Sequence, residues 1–155
     1  MNVSEDVAVG RRGPALVGTI DRESRRNALN EAVAAGLVAA LGRPPPAPRH
    51  YVARLLRRID ACRLPIVARV NGHALAGGFG LVCAADLVVA REDALMGVTE
   101  VKVGLFPMMI LPYLLRVLPY RRLAGLGLTG DTIRAGSPEA AAGGNQAGPA
   151  GRPGA

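Results

Sequence analysis

The chain has 155 residues, half of them apolar, which suits one domain with a sizeable core, and two Phe, three Tyr and no Trp leave that core to Ala, Val, Leu and Ile. The net charge is +7, yet the basic residues, all Arg except Lys102, are spread from position 11 to 152 without stacking aromatics among them. This argues against a nucleic-acid partner and for an anionic small molecule, which Arg suits by bidentate contact.

No apolar run opens the chain, and the longest candidate span, residues 103–115, is short and holds Pro107 and Pro112. A soluble, cytoplasmic protein without a membrane partner is expected. Cys62 and Cys83 have no metal-binding spacing, so reduced, buried thiols and no metal site are expected.

After a short polar start, residues 15–20 read as a strand and 21–26 as a charged turn. A helix over 30–41 follows, with Leu29, Val33, Leu37 and Leu41 forming one stripe toward a core. Gly42 and the prolines at 44, 45, 46 and 48 stop it. A second amphipathic helix spans 50–61, with Val52, Leu55, Leu56 and Ile59 on one side and Arg54, Arg57, Arg58 and Asp60 on the other, a solvated face. Pro65 closes it. A strand over 66–70, an Asn71-Gly72 turn, a glycine turn at 77–78, a buried helical segment through 85 and a strand over 87–90 come next. Residues 104–109 read as a loop, Pro112 suits the first turn of a helix bearing Leu114, Leu115 and Leu118, and a short helix covers 121–128. From Gly136 on, the sequence has no hydrophobic period and is expected to be disordered.

Two places could carry chemistry. A helix starting at Gly77 would present free N–H groups and the positive end of its dipole to an anion or a developing oxyanion. Glycine pairs serve tight turns equally well, and no Gly-Lys-Ser/Thr ending marks a nucleotide loop. Glu100, between Met96-Gly97-Val98-Thr99 and Val101, is either a surface carboxylate or an acid/base whose pKa desolvation would raise. His50 and His73 stand in no triad-like arrangement.

The run Leu64-Pro65-Ile66-Val67-Ala68-Arg69-Val70-Asn71-Gly72-His73-Ala74-Leu75-Ala76-Gly77-Gly78, followed by Cys83-Ala84-Ala85-Asp86-Leu87-Val88-Val89-Ala90, closely resembles the core signature of the crotonase (enoyl-CoA hydratase/isomerase) superfamily. The resemblance continues through Glu100, Gly104-Leu105-Phe106-Pro107 and Leu128-Thr129-Gly130. Upstream, Arg26-Asn27-Ala28-Leu29-Asn30 resembles the family's first strand-to-helix unit. The resemblance implies an α/β fold, an incomplete crotonase-like ββα spiral over residues 1–135, with 136–155 as a Gly/Ala/Pro-rich disordered tail. It implies an acyl-CoA thioester as the substrate, with the Gly77 N–H as oxyanion donor and Glu100 as acid/base. Ala28, Ala76, Gly78, Pro107 and Met108 fall at substrate-binding positions. No cofactor is implied, because coenzyme A is part of the substrate.

The departures from the family matter as much. Its hydratases hold and activate water with two glutamates, and the first of these aligns with Gly80, which leaves isomerisation and other single-base reactions open. The segment that supplies the first oxyanion donor and much of the CoA loop is replaced by the proline linker at 44–48, so weak or absent turnover is expected. Pro107-Met108-Met109 stands for a glycine-rich loop; Met108 keeps an N–H, and its side chain is expected to narrow or reshape the pocket. The family's C-terminal helices are not recognisable after about residue 135, so its homo-trimer or hexamer would lack those contacts. The alternative reading is a catalytically inactive crotonase remnant or an interaction protein.

Overall fold

In the structure, a computed structural model, residues 2–4, 6–25, 27–42, 51–141 and 146–148 are described. They fall into two compact units, Met1–Arg63 and Leu64–Ala155.

In the first unit, β1 (Asn2–Ser4), β2 (Val7–Arg12) and β3 (Ala15–Ile20) form an antiparallel sheet in that order. The register runs from Val7 opposite Ile20 to Arg12 opposite Ala15. Gly13 makes the two-residue turn possible by taking φ 59°. The stretch before Ala15 is therefore a strand and not merely a polar start: Val7 is buried while Arg11 and Arg12 face solvent. Helix α1 (Glu31–Ala40) begins at Asn30, whose side chain accepts the Val33 N–H at 2.8 Å. It lies close on the sheet because Gly36 has no side chain; a Cβ there would sit 3.0 Å from the Cβ of Val7.

The buried face of α1 is Val33, Ala34, Gly36 and Val38, and Leu41 is 37% exposed. This corrects the four-residue stripe: an α-helix turns every 3.6 residues, so a line of every fourth residue drifts about 40° per step and leaves the core. Helix α2 (Tyr51–Asp60) packs on α1 and buries Val52, Leu55 and Leu56, with Arg54 and Arg57 exposed. Leu55 and Leu56 each contribute about 1.5–3 kcal/mol by leaving water. The proline linker at 44–48 and His50 lie outside the described residues. Cys62 is only half-buried, unlike the expectation for both thiols.

The second unit repeats one pattern twice. β4 (Val67–Val70), β5 (Ala74–Leu75) and α3 (Gly77–Ala84) are followed by β6 (Leu87–Arg91), β7 (Leu95–Gly97) and α4 (Leu111–Val117). In each turn the first strands pair in parallel, β4 with β6, and so do the second, β5 with β7. This is the ββα spiral. Helix α5 (Tyr120–Thr129) leads to β8 (Thr132–Arg134), which runs antiparallel to β7. Phe79, Met96, Val98, Leu114, Leu126 and Ile133 fill the core. Burial pushes the Cys83 thiol up to about 12, so it is an inert core group.

Most of the tail beyond Gly136 lies outside the described residues. Of those described, α6 (Pro138–Ala141) is a short helical turn with Ala140 buried, and β9 (Gln146–Gly148) pairs in parallel with β6. Among the described residues, no helix is long and apolar enough to cross a membrane.

Candidate active site

The register of two short parallel strands builds the site. Ala74 pairs with Met96 and Leu75 with Gly97, so β5 and β7 end side by side. Gly77 lies two residues past the end of β5 and Glu100 three past the end of β7. Both therefore leave the sheet at the carboxyl ends of neighbouring strands, where α/β folds place ligands. The Ala76 N–H donates to the Gly97 carbonyl at 2.9 Å and ties the two exits together.

Helix α3 starts at once after β5. Its first intrahelical bond runs from the Gly80 N–H to the Ala76 carbonyl at 3.1 Å, so the Gly77 and Gly78 N–H groups have no acceptor within the helix. A Cβ at Gly78 would meet nothing within 4 Å, which leaves open space beside the helix start. Ala76 takes φ 50° and ψ −126°, a conformation that suits glycine and strains alanine. That conformation turns the chain sharply from strand to helix, and the strain is its cost.

Glu100 opens a 3₁₀ turn, Glu100–Val103. Its backbone carbonyl accepts the Leu105 N–H at 3.0 Å, and Gly104 closes the turn with φ 71°. The side chain is half-buried, and its Oε2 is buried without a hydrogen-bond partner among the described residues. Burial pushes the carboxyl above the ordinary glutamate range. Chemically, a desolvated carboxyl can exchange a proton more readily near neutral pH than an exposed one, and an uncapped helix start favours negative charge.

The loop after Glu100 differs from expectation in one respect. The Met108 N–H donates to the Phe106 carbonyl at 2.8 Å and is not free for a ligand. Pro107 is buried, whereas Leu105, Phe106 and Met108 are 64%, 66% and 68% exposed. Ala28 belongs to the first unit, at a corner held by local bonds. Asp6 pairs with Arg22 at 2.9 Å, the Arg22 N–H donates to the Asn27 side chain at 2.7 Å, and the Arg22 guanidinium donates to the Ala28 carbonyl.

The roles of several supporting residues were not legible in the sequence. A Cβ at Gly97 would sit 2.7 Å from the Asp131 carbonyl oxygen, so this glycine lets β8 close on β7. Gly130 takes φ 69° at the end of α5, and a Cβ there would sit 3.0 Å from Val101 Cγ1. It thereby seats the turn that begins with Glu100. His73 accepts the Leu95 N–H on Nδ1 at 3.1 Å, and Asp86 accepts the Ile66 N–H at 2.7 Å. Both are struts between strands. A cavity of about 120 Å³, lined by Phe79, Val82, Cys83, Leu118 and Ile133 among others, lies toward the far half of α3 from Gly77.

Comparison with known proteins agrees with this architecture. The sequence pattern of the enoyl-CoA hydratase/isomerase family matches residues 43–144. The mevalonyl-coenzyme A hydratase of Aspergillus fumigatus is 44% identical over 72 residues, 46% of this chain and 27% of that enzyme. The 2,3-dehydroadipyl-CoA hydratase of Escherichia coli is 37% identical over 79 residues, 51% of this chain and 28% of that enzyme. These matches span less than a third of the relatives' length. Among solved structures, an enoyl-CoA hydratase from Mycobacterium tuberculosis H37Rv superposes with a TM-score of 0.79 at 30% identity, over 96% of this chain and 71% of that one. An enoyl-CoA hydratase subunit from Geobacillus kaustophilus shares the fold, with a TM-score of 0.81 at 24% identity over 96% of this chain and 71% of that one. By sequence and by fold, the chain belongs to the enoyl-CoA hydratase/isomerase family of the crotonase superfamily.

Proposed function

We propose that the chain binds an acyl-CoA thioester at the carboxyl ends of β5 and β7 and moves a proton on its acyl group. The observation that carries this reading is the pairing of Leu75 with Gly97, which brings the Gly77 helix start and the desolvated Glu100 out on the same side. The thioester oxygen accepts from the Gly77 N–H, and the helix dipole favours the charge that develops there. Glu100, as carboxylate, takes a proton from carbon next to the thioester or next to the double bond. The enolate is held at Gly77. The Glu100 carboxylic acid then returns the proton to another carbon and is restored.

The names of two relatives support the substrate class: the A. fumigatus and E. coli proteins are both called hydratases of CoA thioesters. Coenzyme A enters as part of the substrate, and no separate cofactor is called for. Turnover is expected to be low. The family's first oxyanion donor has no counterpart in this sequence, and such a donor is worth on the order of 10²–10³ in rate.

A second reading, a catalytically silent protein that docks on a partner, is favoured by one observation. The Met108 N–H is already bonded, and Leu105, Phe106 and Met108 present apolar surface to solvent. Calorimetry with crotonyl-CoA and a 3-enoyl-CoA on the full chain separates the two. Saturable binding, with turnover abolished in Glu100→Gln, supports the acyl-CoA reading; a folded chain that binds neither thioester refutes it.

A further inference from the structure

Gly80 lies on α3 one turn beyond Gly77, and it is buried. A Cβ built on it would sit 2.2 Å from Cγ2 and 2.6 Å from Cβ of Ile110. Carbon atoms in contact stay about 3.5–4.0 Å apart, so both approaches are forbidden. Rotation about χ1 of Ile110 could move Cγ2 but not Cβ, whose place is set by the backbone. That backbone is held from both sides. The Ile110 N–H donates to the Pro107 carbonyl at 3.2 Å, and the Ile110 carbonyl accepts from Tyr113 and Leu114 at 3.0 and 3.1 Å. Ile110 is 2% exposed, at the start of α4, which packs on α3.

We infer that Ile110 is a specificity-determining residue: it fills the space in which any side chain at position 80 would begin, and so confines the site to reactions that Glu100 runs alone. The inference rests on the reading of Glu100 as the acid/base. Water addition to an enoyl thioester breaks a water O–H, forms a C–O bond and delivers a proton to the neighbouring carbon. A water must be held and deprotonated, which needs polar partners. Next to Gly77 the turn of α3 offers hydrocarbon from Ile110 in place of a carboxylate. Double-bond migration has no such need. One C–H bond breaks, the double bond shifts, another C–H bond forms, and Glu100 ends as it began.

The test uses the full chain and two readouts. In thermal melts, Gly80→Ala should lower Tm by about 2–12 °C. The pair Gly80→Ala with Ile110→Gly should melt well above the sum of the single losses, because the second change removes the obstructing Cβ. In assays, Gly80→Glu combined with Ile110→Gly should hydrate crotonyl-CoA on the order of 10²-fold faster than Ile110→Gly alone. Additive melts, or Gly80→Glu alone melting as the parent does, overturn the steric closure whatever the catalytic role of Glu100. Coupled melts with no gain in hydration overturn the specificity role. A gain in hydration that survives Glu100→Gln refutes instead the assignment of Glu100 on which the inference rests.

Discussion

Replacing Ala76 by Gly should stabilise the protein, against the usual rule that a new glycine weakens a fold. Ala76 sits at φ 50° and ψ −126°, between β5 and α3. Holding a residue with a Cβ in so sparsely populated a region costs about 1–3 kcal/mol. Glycine removes that strain but gives the unfolded chain more freedom, which costs about 0.5–1 kcal/mol. The net gain is about 0–2.5 kcal/mol, centred a little above 1. For a chain of this size each kcal/mol moves Tm by about 2–4 °C, so a rise of up to roughly 10 °C, centred near 3–4 °C, is expected. Urea unfolding checks it independently, with the midpoint rising at unchanged slope. Ala76→Val should do the reverse, because a β-branched side chain tolerates positive φ worse still. An Ala76→Gly midpoint equal to or below the parent's would refute the argument that this turn stores strain.

Glu100→Gln should raise Tm at neutral pH while abolishing any turnover, since it relieves a half-buried carboxylate whose Oε2 has no hydrogen-bond partner among the described residues. The folded pKa lies above the unfolded one, so the native state is favoured while the group is protonated, and that advantage is lost as pH rises through the folded pKa. The gap between variant and parent should thus be full above the folded pKa and close as pH falls to the ordinary glutamate range, about pH 4; a gap that widens toward acid would contradict the desolvation. Gly130→Ala should cost about 1–3 kcal/mol, from φ 69° and the crowding on Val101, and should weaken Glu100-dependent turnover with it. Melts and thioester assays on one preparation would show whether the two losses go together.

Element placement was legible where a local rule sufficed. The strand at 15–20, the helix ended by Gly42 and the arginine-faced α2 follow from periodicity and from residues that stop a helix. Short strands were not legible: β5 has two residues and β7 and β8 three each, too few for a period to show. They form because neighbouring backbones offer hydrogen bonds, not because of their own side chains. Gly97 read as an ordinary glycine, and Gly130 as part of a family motif with no contact assigned to it, for the same reason, since what they make room for lies elsewhere in the chain.

By itself, then, the sequence determined the family, through the long motif around Gly77 and Gly78, and it singled out Glu100 as a carboxylate in apolar company. Gly80 could be read as the loss of a second carboxylate. Only the tertiary structure decided that Ile110 occupies that place, that the Met108 N–H is spent on Phe106, and that Glu100 Oε2 is buried without a partner among the described residues. Motif residues are legible because the backbone conformations and chemistry they serve are local. Occlusion, desolvation and unmet hydrogen bonds depend on atoms brought together from distant positions, and no local pattern encodes them.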